Sequence, residues 1–418
     1  MINSQVYAQK KDPPSLQAIL LPLVEELLQL EGEGIGMRDY SQPHHSASFN
    51  FIMKAILLLW VGDYPGQAKM CNMKHAGTFA CHWCTHPFVK ELGQVGSCYA
   101  NNNRRHLPPE HPWRQRREYG ADSVDFPEDD QPPATRSHEE VCRVGRRITF
   151  DGETLQKHVH LGVDGFCVLS VLKLWNTIWD VPPDFMHVNK DIFQYHLLPL
   201  FKCKSAAIPS KPKKRKMDDK DGKPLPPQEQ KEIEEQYNEQ LALWNQVLLK
   251  ASAWGMSLGT QKMVDSRCQA LSGVSGWIAH STRPVTLSSA VKAAGWLSFS
   301  RSGLWPYLLH DIFDAEQTEA IESLSATLAA LMEFNCDVDV SDEKDMTDAV
   351  SKLKLQCIET LVILEKELPE TKLVAMFHVL LHFPDSVFRW NNMRNFWAFF
   401  SERSVSFSFS IHSCVPLF

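Results

Sequence analysis

The sequence predicts a mixed α/β (α+β) chain: a core that uses strands, interrupted by a large, mainly α-helical insertion. Three observations predict it. The run Phe51–Val61 is apolar but for Lys54 and stops at Gly62-Asp63-Tyr64-Pro65, as a buried central strand would. Upstream, Leu16, Ile19, Leu20, Leu23, Val24, Leu27 and Leu28 recur at the i, i+3, i+4, i+7 spacing of an amphipathic helix. Downstream, residues 231 to about 400 carry long helical stripes.

In chain order, Asp12 can cap the first helix, Pro22 predicts a kink within it, and Gly32 and Gly34 end it. A loop over 37–45 leads to the strand that stops at Asp63. Residues 75–84 read as a short strand running into the knuckle Cys81-His82-Trp83-Cys84. Residues 99–117 are basic and aromatic, and 121–140 are acidic and Pro-rich, the composition of a mobile loop. Arg143, Arg146 and Arg147 precede a predicted strand at 148–150. Residues 204–230 form a charged linker. The stripe Ile233, Tyr237, Leu241, Trp244, Leu248 then predicts a helix over 232–253. Ile321, Leu324, Leu328 and Leu331 predict one over 315–334, and Val350, Leu353, Cys357, Leu361 and Leu364 one over 345–368.

The 418 residues carry a net charge of -7, and 44% of them are hydrophobic. Such a chain can bury more than one core usually holds. The polar opening residues read as no signal peptide, and the eleven Cys follow no regular framework, so reduced thiols are expected. No apolar run approaches the ~20 residues that span a bilayer, and no membrane partner is expected. With an acidic total, contact with nucleic acid has to come from local basic patches.

Cys81 and Cys84 form a CxxC whose spacing lets two thiolates grip one tetrahedral ion. A redox pair or chance produces the same spacing. His378 and His382, four apart in an apolar helical stretch, place both imidazoles on one face where they can share an ion; packed core histidines are the alternative. Asp63 and Glu402 are candidate carboxylates for Mg²⁺, which prefers one or two acids with substrate phosphate and water; for either acid taken alone a surface or capping role is the stronger reading. The basic residues of 104–117 suit phosphates or form a solvated loop, and Lys211–Lys216 reads either as a nuclear-localisation signal or as a solvated linker.

The joint pattern resembles the transposases of CACTA (En/Spm, TNP2-like) DNA transposons, members of the DDE/D enzymes with an RNase H-like fold. The likeness rests on Trp60-Val61-Gly62-Asp63-Tyr64-Pro65-Gly66, on Phe79-Ala80-Cys81-His82-Trp83-Cys84, on Arg104-Arg105-His106-Leu107-Pro108 with His111-Pro112-Trp113-Arg114, on Asp184-Phe185-Met186-His187, and on His378-Val379-Leu380-Leu381-His382 followed by Phe400-Ser401-Glu402-Arg403. It covers roughly 13–200 and 370–403.

The resemblance implies DNA strand cleavage and transfer with two Mg²⁺ or Mn²⁺ ions, with Asp63 and Glu402 as the second and third acids. It implies one structural zinc on Cys81, Cys84, His378 and His382, and a core role for Asp184 and His187. DNA contacts fall to Arg104, Arg105, Trp113, Arg114, Arg116 and Arg117. The implied partners are transposon ends and target DNA and further copies of the chain, in the nucleus through Lys211–Lys216.

The implied organisation has a partial RNase H-like core over 1–98, a basic-aromatic and Met-His region over 99–202, a linker over 203–230, a helical insertion over 231–368, closing core helices over 369–403 and a divergent tail over 404–418. No acid in a strand-like setting precedes the first helix, and Ser404-Val-Ser-Phe-Ser-Phe-Ser-Ile departs from the helix expected after Glu402. The first acid is therefore expected to be absent and the chain inactive alone. The alternative is a catalytically dead, zinc-stabilised module that binds DNA or protein.

Overall fold

The apolar segments of this chain form helices far more than strands. The computed structural model describes residues 16–38, 51–88, 118–119, 124–125, 134–203, 211–216, 224–271, 296, 300, 304–334, 343–369 and 372–390. Among these, strands form two short antiparallel ladders. β1 (Ile35–Met37) pairs with β2 (Phe51–Met53), setting Ile35 opposite Met53, and β3 (Glu118–Tyr119) pairs with β4 (Val124–Asp125). No described helix is long and apolar enough to cross a membrane.

The chain divides into two compact units. The first comprises the residues up to His75, the stretch His82–Cys84 and Thr135–Pro182. Its helix α1 (Leu16–Gly32) buries Leu20, Val24 and Leu30, a narrower stripe than the sequence predicts, with Ile19 and Leu28 exposed. Gly34 follows with φ +78 and donates its N–H to the Gln29 carbonyl at 2.8 Å. A Cβ there would lie 2.6 Å from the Met53 carbonyl oxygen, so the turn into β1 requires glycine.

The predicted central strand is a correction. Only Phe51–Met53 pairs, all three residues are exposed, and residues 54–63 have no regular structure. Lys54, Ile56 and Leu58 are exposed while Ala55, Leu57 and Leu59 are half-buried, so the run is extended with one face partly covered. It is pinned at its end by the Trp60 N–H, which donates to the Asp180 carbonyl at 2.8 Å. The chain then turns into a helix at Asp63. The side chain of Asp63 accepts the Gly66 N–H at 2.8 Å, and Pro65 stands in the first turn of α2 (Tyr64–Met70). An N-cap acid followed by proline opens a helix as readily as it stops a strand.

The predicted strand at 148–150 is also a correction, because Ile148 and Thr149 lie in α3 (His138–Thr149). Ser137 caps that helix by accepting the Glu140 N–H. Glu139 and Glu140 occupy its first turn, and Arg146 and Arg147 its last, the charge arrangement a helix dipole favours.

The second unit comprises Ala76–Cys81, Thr85–Ala134 and the residues from Pro183 onward. Helix α4 (Phe185–Asp191) continues through a wide π-type turn, Ile192–Leu197, into a further turn, Leu198–Phe201. The rings of Phe193 and Trp305 stack at 4.4 Å, with Trp296 parallel at 5.6 Å from Trp305. The three predicted downstream helices are present as α5 (Pro227–Ala253), α8 (Ala315–Glu333) and α9 (Glu343–Glu367), the last two packed along each other. Between α5 and α8 lie α6 (Leu258–Leu271) and α7 (Leu304–Leu309). The stripes Ile321–Leu331 and Val350–Leu364 are buried as their spacing predicts. Thr360 joins α9 to α8 through hydroxyl contacts of 2.7 Å to Ser323 and Thr327. Helix α10 (Ala375–Val379), a tight turn at Leu380–His382 and α11 (Phe383–Trp390) close the described chain.

Candidate metal centre

The knuckle that carries the thiols is built from irregular backbone, and every residue from Phe79 to Cys84 is buried. Local hydrogen bonds hold it in place of regular structure. The Trp83 indole N–H donates to the Val181 carbonyl at 3.0 Å, His82 Nε2 lies 2.8 Å from the Thr177 carbonyl, and the Trp83 carbonyl accepts the Arg136 N–H. Nearly all of the Trp83 side chain is buried, so the indole fixes the backbone on which both cysteines ride.

The imidazoles come from the short helix α10 and the turn after it. Phe377, Val379 and Leu380 are fully buried, which leaves the opposite face of the turn to His378 and His382. Their Nε2 atoms stand 3.1 Å apart, as the i, i+4 spacing predicts. Cys81 Sγ lies 3.3 Å from His382 Nε2. With Cys84, the ligand atoms of all four residues lie within 4.8 Å of one another, and Cys81, Cys84 and His378 are buried.

This donor set fits zinc. A tetrahedral ion bound at about 2.0 Å by nitrogen and 2.3 Å by sulfur spaces its donors about 3.3–3.8 Å apart. The 3.1 Å nitrogen pair lies about 0.2 Å below that range, and the 3.3 Å sulfur–nitrogen separation lies at its lower edge. Burial lowers the proton affinity of His378 while the neighbouring Cys81 opposes the shift, so the ring is held neutral, the form that binds metal.

Two residues that the sequence did not single out complete the surroundings. The His86 ring stacks on His378 at 5.1 Å and 16°, and Phe88 meets the same ring edge-on at 5.1 Å and 80°. Both are buried and hold the plane of a ligand ring. A histidine two residues beyond the CxxC was the available signal, and its partner lies almost three hundred residues away.

Asp184 and His187 form a pair within one helix start. One Asp184 oxygen accepts the Met186 N–H at 3.2 Å, and the other contacts His187 Nδ1. The acid is buried and the histidine partly exposed. Asp63 is exposed and acts as the cap described above. Arg104, Arg105, Trp113, Arg114, Arg116, Arg117 and Glu402 lie outside the described residues, as does most of the acidic stretch 121–140. Among the described residues the Cys–His set is the only group of three or more potential metal ligands, and Asp63 is not in it.

Comparison with known families matches residues 4–148 to the model of the transposase family tnp2, about a third of the chain. That match supports a transposase-family protein. It spans Asp63 and both cysteines, and ends before Asp184, His187 and the histidine pair. No curated protein matches the chain.

Proposed function

We propose that this chain is a transposase-type protein of the CACTA (En/Spm, TNP2-like) kind that binds DNA, with one zinc ion tying the stretch 81–84 to the stretch 378–382. The observation that carries the reading is the convergence of Cys81, Cys84, His378 and His382, read beside the tnp2 match over 4–148. Four protein donors leave no open position for water, so the ion's role is structural.

In this reading the complete enzyme cuts and joins DNA on an RNase H-like core. Asp63 and Glu402 would hold Mg²⁺ or Mn²⁺, which would polarise phosphodiester oxygens and activate water. Two ions need several rigidly placed carboxylates. The Asp63 side chain is engaged as the cap of α2, and this favours the second reading: a zinc-stabilised binding module without cleavage of its own.

The test is cleavage of a supercoiled plasmid with Mg²⁺ or Mn²⁺, alongside binding to labelled duplex. Asp63→Asn and Glu402→Gln are the informative variants. Asn preserves the cap on α2, which Ala would remove, so lost cleavage could not be ascribed to an unravelled helix. Binding without cutting is the expected result. Cutting that both variants abolish would establish the enzyme and overturn the binding-only reading. Absence of both binding and cutting would overturn the proposal.

A further inference from the structure

The acidic chain carries one described segment of dense positive charge, Lys211-Pro212-Lys213-Lys214-Arg215-Lys216. Lys211, Lys213, Arg215 and Lys216 are exposed and make no ion pair among the described residues. Lys214 differs. Its ammonium pairs with Glu234 and sits over the Tyr237 ring, 5.9 Å from the centroid. Glu234 and Tyr237 are three apart on α5, so they present one face to the same cation. The start of that helix is strongly acidic, with Glu229, Glu232, Glu234, Glu235 and Glu239 offset by Lys231 alone. The basic run is therefore fastened at its midpoint to a surface of opposite charge within its own chain.

We propose that Lys211–Lys216 is a binding segment for the phosphate backbone of nucleic acid, held in reserve by the acidic start of α5, which competes with the phosphates for Lys214. A run of cations spaced along one strand of chain suits a polyanion better than a single anion, because each phosphate contact releases a counterion. The latch is weak by construction. One half-exposed ion pair and one cation–π contact together shift the open–closed balance about five-fold. A duplex offering several phosphates at once overcomes that, whereas small anions at physiological strength do not. The inference uses residues outside the metal centre and stands whether or not the chain cuts DNA.

The test uses the full chain and a short fluorescein-labelled DNA duplex, read by anisotropy at about 50 to 200 mM salt. Glu234→Gln is compared with Glu232→Gln, which removes the same charge from an exposed site on the same helix start. Glu234→Gln, which removes the ion pair and leaves the Tyr237 ring, is expected to tighten binding about two- to three-fold, and Glu232→Gln to leave it nearly unchanged, with the excess lost in a Lys214→Ala background. Replacing Lys213, Lys214, Arg215 and Lys216 by Gln is expected to weaken binding and flatten the salt slope by about 3 to 4. Circular dichroism confirms that α5 persists in each variant. Equal gains from the two glutamate variants would overturn the latch. Unchanged DNA affinity in the four-fold variant would overturn the proposal altogether. If that variant instead loses nuclear accumulation as a fluorescent fusion, the segment is a transport signal.

Discussion

Replacing Cys81 by Ser should cost this protein both its zinc and a large part of its stability. Cys81 Sγ is 3.3 Å from His382 Nε2, and the serine hydroxyl is a far poorer zinc ligand than a thiolate. The ion closes a chain loop on the order of 300 residues, and a cross-link over such a loop removes about 5–6 kcal/mol of unfolded-chain entropy. Mass action gives a similar size, since zinc at a thousand times its Kd adds about 4 kcal/mol. We therefore expect a loss of about 4 kcal/mol, which for the second unit, on the order of 300 residues, lowers the midpoint by roughly 6–7 °C. Elemental analysis of purified protein, followed by thermal unfolding with and without a chelator, measures both quantities. The wild type should carry one zinc per chain, and chelation should bring its melting curve onto that of the variant. Purified protein without zinc, or zinc retained by Cys81→Ser, would refute the reasoning. So would loss of the ion with no change in midpoint, because the clamp would then carry no stability.

Three further outcomes follow from the same geometry. His86→Ala frees the ring of His378 and should weaken zinc about 10–100-fold in competition with a chromogenic chelator, with the tetrahedral Co²⁺ spectrum broadened and fold otherwise retained. Burial, with the Lys372 ammonium adding to it, pushes His196 down to about 4 from its ordinary 6.5. Its folded form is favoured fully above 6.5 and progressively less as the pH falls towards 4, because the unfolded chain takes up the proton first. At pH 5 this costs about 2 kcal/mol, and urea midpoints at pH 7 and pH 5 should converge in His196→Gln. Asp63→Ala should cost about 1 kcal/mol through loss of the cap on α2, while Asp63→Asn should cost a few tenths, both read from denaturant midpoints.

The parts of this molecule that were legible in sequence are those whose cause is local. The i, i+4 spacing of His378 and His382 is a property of one helical turn, and their Nε2 atoms meet accordingly. The stripes on α8 and α9 bury the residues their period selects. Misreadings arose where one pattern serves two structures. Asp63-Tyr64-Pro65 looks like the end of a strand, yet an acid before proline equally starts a helix, and the apolar run before it is extended without sheet partners along most of its length. Ser137-His138-Glu139-Glu140 is a capping sequence hidden beside a Pro-rich segment, and the β-branched end of α3, Ile148-Thr149, carries a strand-like composition inside a helix. The stacking of His86 on His378 depends on two segments meeting from opposite ends of the chain, and no window of sequence contains both.

The order of the ligands along the chain sets a schedule for the metal centre. The cysteine knuckle leaves the ribosome with its indole anchor Trp83, but the histidines are encoded on the order of 300 residues later. At about 5–20 residues per second, that leaves two thiols waiting roughly 15 to 60 s for their imidazole partners. On the proposed zinc reading, completion of the centre is then a late event in biosynthesis.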